Sequence, residues 1–200
     1  MLGFSSCKKE SSTDLGGSQS PIGNVGVTVT SSTGEIAGIS NFSAMVTSLQ
    51  DGVSSYTGSA TITNPVFKNL VASFPGVIIN GDIVSISDVQ IQQTSEGMKN
   101  LTGPNTGILV KYDSEVGDTY PIGSTGKVRT VVSKTGVDDY YYGGLLIKTI
   151  QVEMNPTTLK STGISKYTFV YNHKFGLVGI NVTFDDGSST TFPVFSSVTN

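Results

Sequence analysis

The sequence predicts a mainly β protein. Its expected form is a single antiparallel curved sheet or half-barrel with one short helix at about residues 65–73, with a β-sandwich as the alternative arrangement. Three observations carry this expectation. Apolar residues alternate with polar ones at period two in many separate runs, the signature of half-buried strands. Glycine is abundant, at 24 residues, and Ser plus Thr fill about a quarter of the chain. Charged residues make up only 14 % of the 200 residues, against roughly 25 % in an average soluble domain.

The elements follow in order. Val25, Val27 and Val29 alternate with Gly26, Thr28 and Thr30, predicting a first strand. Further strands are expected at 42–49, 53–63, 83–93, 107–112 and 127–133. Four more rows close the chain: Ile150, Val152 and Met154; Tyr167, Phe169 and Tyr171; Val178, Ile180, Val182 and Phe184; and the run 189–195. Each row places one face on a core and the other toward water. Asp185-Asp186-Gly187 signals a tight hairpin between the last two strands, and Asn80-Gly81-Asp82 and Gly143-Gly144 are further turns.

One stretch breaks the strand pattern. Asn64 can cap a helix and Pro65 suits its first position. Val66, Phe67, Leu70, Val71 and Phe74 then recur at spacings of three and four, and Pro75-Gly76 ends the run. The loop-like Asn100–Pro104 stretch marks a soft division, but neither half holds enough strands to close a sheet. A single domain over 25–197 is expected.

Composition limits the chemistry. Fifteen acids against twelve Lys plus Arg give a net charge of −3, which is no footprint for nucleic acid. With one cysteine there is no internal disulfide, and with one histidine no zinc cluster. His173, in Tyr-Asn-His-Lys-Phe-Gly, reads as a turn residue, since no Gly-x-Ser-x-Gly elbow accompanies it. Asp138-Asp139 and Asp185-Asp186 are paired carboxylates of the kind that hydrolyse glycans, yet turn chemistry accounts for both pairs. In Tyr140-Tyr141-Tyr142, alternation sends the middle ring to the opposite face from its neighbours, which argues against a flat sugar platform. No catalytic residue, metal or cofactor is expected, and the chain is read as a non-enzyme.

The N-terminus reads as an address. Residues 8–24 are almost devoid of apolar side chains and rich in Gly and Ser, so they are expected to form a flexible tether. Before them stands Phe4-Ser5-Ser6-Cys7-Lys8-Lys9-Glu10, where small residues precede the only cysteine. This motif resembles the lipobox of bacterial lipoproteins, in the form found in the Bacteroidetes group. The resemblance implies lipid attachment at Cys7, with residues 1–6 the remnant of a longer signal peptide and 7–24 a lipid-anchored tether. It also implies residence at the bacterial outer membrane, facing either the periplasm or the cell surface.

A second resemblance covers about residues 107–187. Gly107-Ile-Leu-Val-Lys-Tyr, Val116-Gly117-Asp118-Thr119-Tyr120, the run from Gly143 to Glu153, and Phe175-Gly176-Leu177-Val178 follow one another in an order similar to envelope proteins of the lipoprotein-carrier type. These are the LolA- and LolB-like half-barrels with a helix or two across the open face. A curved sheet with a helix across it is expected to leave an apolar hollow for a hydrophobic ligand or acyl chain, lined from the alternating rows by residues such as Phe169, Tyr171, Val178, Ile180 and Val182. The expected function is therefore a non-catalytic binding module anchored to a membrane. The alternatives are a structural or interaction subunit of an outer-membrane assembly, and a glycan-binding or glycan-hydrolysing surface protein.

Overall fold

The computed structural model describes residues 14–31, 34–103, 105–155 and 163–198, and all structural statements below concern these. Fifteen strands form: β1 (Thr28–Ser31), β2 (Ile39–Gln50), β3 (Val53–Ile62), β4 (Val77–Asn80), β5 (Ile83–Thr94), β6 (Gly97–Asn100), β7 (Gly107–Lys111), β8 (Thr119–Pro121), β9 (Val128–Lys134), β10 (Tyr140–Tyr142), β11 (Leu145–Ile147), β12 (Ile150–Met154), β13 (Ile164–Asn172), β14 (Gly176–Phe184) and β15 (Ser189–Ser196). One helix, α1 (Pro65–Ala72), interrupts them. The protein is mainly β, one large, nearly closed antiparallel sheet of half-barrel character with one helix, and not a sandwich.

The strands run in the order β7-β6-β5-β3-β2-β1-β15-β14-β13-β12-β9-β8, with β4 beside β5. Every pairing is antiparallel, so the turns divide between two rims. One rim, the hairpin rim, carries the turns at 51–52, 95–96 and 173–175. The other, the helix rim, carries α1 and the Asp185–Ser188 turn.

The end strands β7 and β8 meet without a ladder. Gly123 N–H donates to Thr106 O (3.0 Å), Lys111 N–H donates to the Tyr120 hydroxyl (3.3 Å), and the Arg129 Nη1–H donates to Ile108 O (3.0 Å). A side chain at Gly107, whose φ is +110°, would meet Pro121 O at 2.6 Å, so glycine is what lets the two ends approach.

Both rims are covered. At the helix rim, Asn64 Oδ1 accepts from Val66 N–H (2.9 Å) and starts α1, as its sequence predicts. The buried Phe67 then sets its ring edge-on to Phe184 (6.1 Å) and Phe192 (5.8 Å). At the hairpin rim a 3-10 turn, Pro21–Gly23, brings Ile22 against Gly176 and Met98.

Residues 14–24 therefore differ from the flexible tether expected for 7–24. Leu15 joins the core, Ser20 N–H donates to Gln93 O (3.0 Å), and Ser95 N–H donates to Ser18 O (2.8 Å). Two isolated apolar side chains and a run of backbone bonds hold the segment, and neither produces a periodic signal. The first strand also starts later than expected. Val27 N–H donates to Asn24 O (3.1 Å) in a turn, which leaves Val25 61 % exposed. No division appears near 100–104, since β6 and β7 on either side pair with each other.

Strands β10 and β11 form a separate hairpin on the outer face of β13–β15. Tyr142 lies over Phe175 (4.7 Å) and Phe195 (5.4 Å), and its hydroxyl accepts from Ser196 N–H (3.0 Å). Among the described residues no helix is long and apolar enough to cross a membrane.

Candidate functional site in the barrel interior

The inner wall carries an aromatic row on β13. Tyr167, Phe169 and Tyr171 stack at 6.1 and 6.4 Å between ring centroids. On β14, Val182 pairs with Tyr167 and Ile180 with Phe169, so four of the five cavity residues expected from the sequence do share one face.

Val178 does not. The register shifts between Val170 and Tyr171, so that Val170 pairs with Gly179 and Tyr171 with Leu177. Val178 is the extra residue of a β-bulge, which reverses the alternation beyond it. It faces outward, fully buried beneath the β10–β11 hairpin with Val170, Phe175 and Tyr142. Leu177 takes its place on the inner wall.

The interior packs as two clusters. The one near the hairpin rim holds Met98, Ile108, Val110, Tyr120, Val131 and Tyr171; the one near the helix rim holds Ile62, Phe67, Val84, Ile122, Tyr167 and Val182. Phe169 touches both. Its row neighbours Tyr167 and Tyr171 are buried, as is Val182 beside Ile180, yet Phe169 and Ile180 are only half-buried. Four strands from β13 in the sheet order, Ala44 on β2, and five strands away, Gly58 and Ala60 on β3, are small inner positions and likewise half-buried. Phe169 and Ile180 are thus inward-facing positions at the waist of the barrel that stay accessible between buried neighbours.

Polar groups border the waist. The Tyr167 hydroxyl is buried and has no hydrogen-bond partner among the described residues. Burial raises the pKa of Tyr167, and also that of Tyr171, where the nearby Arg129 charge partly opposes the shift. Arg129, on β9, shares the inward parity of Val131 and is 2 % exposed. It donates to Ile108 O and Asn105 O, and burial depresses its pKa. Nearer the hairpin rim, the Gln93 amide donates to the Tyr56 hydroxyl, and the Tyr56 pKa is pushed up to about 12 by burial.

The remaining sequence candidates lie elsewhere. His173 is exposed on the β13–β14 turn, edge-on to Tyr112 at 6.4 Å. Asp138 and the Asp185–Asp186 pair stand at opposite ends of the barrel, and Asp186 caps its own turn by accepting from Ser188 N–H (2.8 Å). Tyr141 is 74 % exposed while Tyr140 and Tyr142 turn toward the sheet, as alternation requires. Cys7 lies outside the described residues. Among the described residues no three His, Cys, Asp or Glu side chains converge on a metal position.

Sequence reasoning did not single out Arg129, although it is the only arginine in the chain. The signal was present: a lone arginine in step with Val131, in a segment where both alternating rows hold valines. The fold and this interior describe a small, nearly closed antiparallel barrel whose inner wall carries a stacked aromatic row. Comparison with protein families, with curated proteins and with solved structures returns no match.

Proposed function

We propose that this chain is a lipid-anchored protein of the bacterial outer membrane that acts as a non-catalytic binding module for a hydrophobic ligand such as an acyl chain. The observation that carries the binding reading is the pair Phe169 and Ile180, inward-facing and half-buried between buried neighbours. Apolar walls at the waist, with coverings over both rims, suit a ligand that must be kept from water. The anchoring reading rests on the sequence Phe4-Ser5-Ser6-Cys7-Lys8 and its resemblance to a lipobox.

Two experiments test the two halves. Titration with the uncharged probe N-phenyl-1-naphthylamine is expected to give saturable uptake near one per chain; fluorescence that grows without saturation removes the binding reading. Cys7→Ser is expected to abolish acylation and release the protein to the soluble fraction, and a variant that stays on the membrane contradicts the anchor.

A second reading, an interaction subunit of an envelope assembly, is favoured by one observation. Tyr141 and Leu146 stand opposite each other on the outer hairpin, 74 % and 59 % exposed. Crosslinking from a photoreactive residue at position 146 in cells is expected to trap one discrete partner if that reading holds.

A further inference from the structure

The barrel interior holds a charge that its own packing does not neutralise. Arg129 is the only arginine in the chain and is almost wholly buried. Its guanidinium carries five N–H donors. The described contacts are to two backbone carbonyls, Ile108 O (3.0 Å) and Asn105 O. Those carbonyls satisfy hydrogen bonds but bring no negative charge. Among the described residues no carboxylate forms an ion pair with it. Glu153, the acid on the neighbouring strand β12, is on the face opposite to Val152 and pairs with Lys166 at 3.3 Å. A buried charge without a counter-charge is among the costliest features a core can hold, and an anion seated beside it would offset that cost.

The surroundings say what kind of anion fits. Arg129 shares the inward parity of Val131, which packs in one cluster with Tyr171, the end of the inner row that continues through Phe169 to Tyr167. Beyond Arg129 and the Tyr171 hydroxyl, the wall runs through the apolar Phe169, Ile180 and Val182 and carries one further polar atom, the Tyr167 hydroxyl. One charged position followed by a stacked aromatic and aliphatic wall is the outline of an amphiphile with a small anionic head.

We propose that the barrel interior takes a long-chain carboxylate, its head group on Arg129 with the Tyr171 hydroxyl beside it and its tail along Phe169 and Ile180. This rests on the hydrophobic-ligand reading above and sharpens it by naming the head group. The guanidinium fork matches the two oxygens of a carboxylate, and a charge-assisted bond in a dry interior is stronger than one in water.

The test compares hexadecanoate with hexadecan-1-ol, equal in chain length and different in head charge, by displacement of N-phenyl-1-naphthylamine from the full-length chain. Hexadecanoate is expected to displace the probe at a concentration at least tenfold lower than the alcohol. Arg129→Met, checked for native circular dichroism, is expected to bring that ratio close to one. Tyr171→Phe, which keeps the ring, serves if the arginine variant fails to fold, and is expected to lower the ratio severalfold. Equal displacement by acid and alcohol in the unmodified protein overturns the proposal while leaving a hydrophobic site standing. So does an unchanged ratio in a folded Arg129→Met. Absence of saturable probe uptake before any competitor is added overturns the hydrophobic-ligand reading itself.

Discussion

Ala44→Leu separates a hollow barrel from a filled one by the sign of its effect. Ala44 is on the inner face of β2, in register with Gly58. A side chain cannot be added at Gly58 itself, because its first carbon would lie 2.9 Å from the Ala44 Cβ and 3.0 Å from Ser43 O. At Ala44 the absence of a side chain on its partner leaves room along the wall. Leucine adds three carbons, and each buried methylene contributes about 0.8 kcal/mol, giving up to about 2.4 kcal/mol. Ordering the longer side chain costs about 0.5–1 kcal/mol, so a gain of about 1.5 kcal/mol remains. For a domain of this size that raises Tm by about 3–6 °C. If the waist is already full, overpacking costs about 1–3 kcal/mol and Tm falls. Calorimetry on the unmodified protein and the variant reads the sign. Titration with the uncharged probe on the same samples is expected to show at least tenfold weaker uptake, because the added carbons occupy ligand space. A lowered Tm with unchanged probe uptake refutes the reasoning.

Three other expectations follow from the same structure. Val178→Ala is expected to cost about 2 kcal/mol in urea unfolding, as a fully buried residue, while leaving probe uptake unaltered; Leu177→Ala is expected to alter uptake, and the reverse pattern contradicts the bulge. Asn64→Ala removes the cap of α1 and is expected to cost about 1 kcal/mol by the same assay, with no loss pointing to a helix held by Phe67 alone. The buried tyrosines set the alkaline limit. Folding raises the pKa of Tyr56 to about 12 and raises those of Tyr112, Tyr167 and Tyr171 as well, so the folded state favours their protonated, neutral form. That stability is complete below the ordinary tyrosine pKa near 10 and is lost as pH rises toward 12 and beyond. Tyrosinate absorbance is expected to rise in one step together with loss of structure, and smooth titration of every tyrosine in the folded state contradicts the burial.

Long elements were legible in the sequence because several alternating positions agree. The row Tyr167, Phe169, Tyr171 fixes its face by itself, and the Asn64-Pro65 start with its apolar stripe fixes α1. Strands β4, β6 and β8 carry too few positions to show a period, and they exist because a neighbouring strand offers a ladder. The bulge at Val178 leaves no trace in the alternation, since Val178, Ile180 and Val182 read as one unbroken row. The segment 14–24 has the composition of a linker, and its order comes from bonds to Gln93 and Ser95 supplied by a distant hairpin. Arg129 shows the same limit for the site, because its burial follows from closure of the barrel between β7 and β8, which no local pattern encodes.

The central claim is that the waist of the barrel is a ligand site walled by Phe169 and Ile180. The most direct measurement is native mass spectrometry of the protein purified from the producing cells without detergent or delipidation, followed by denaturing extraction of whatever is bound. The account predicts one lipid-sized adduct per chain, displaced by added hexadecanoate and absent from Ala44→Leu. A bare chain mass that takes up no hexadecanoate would contradict it.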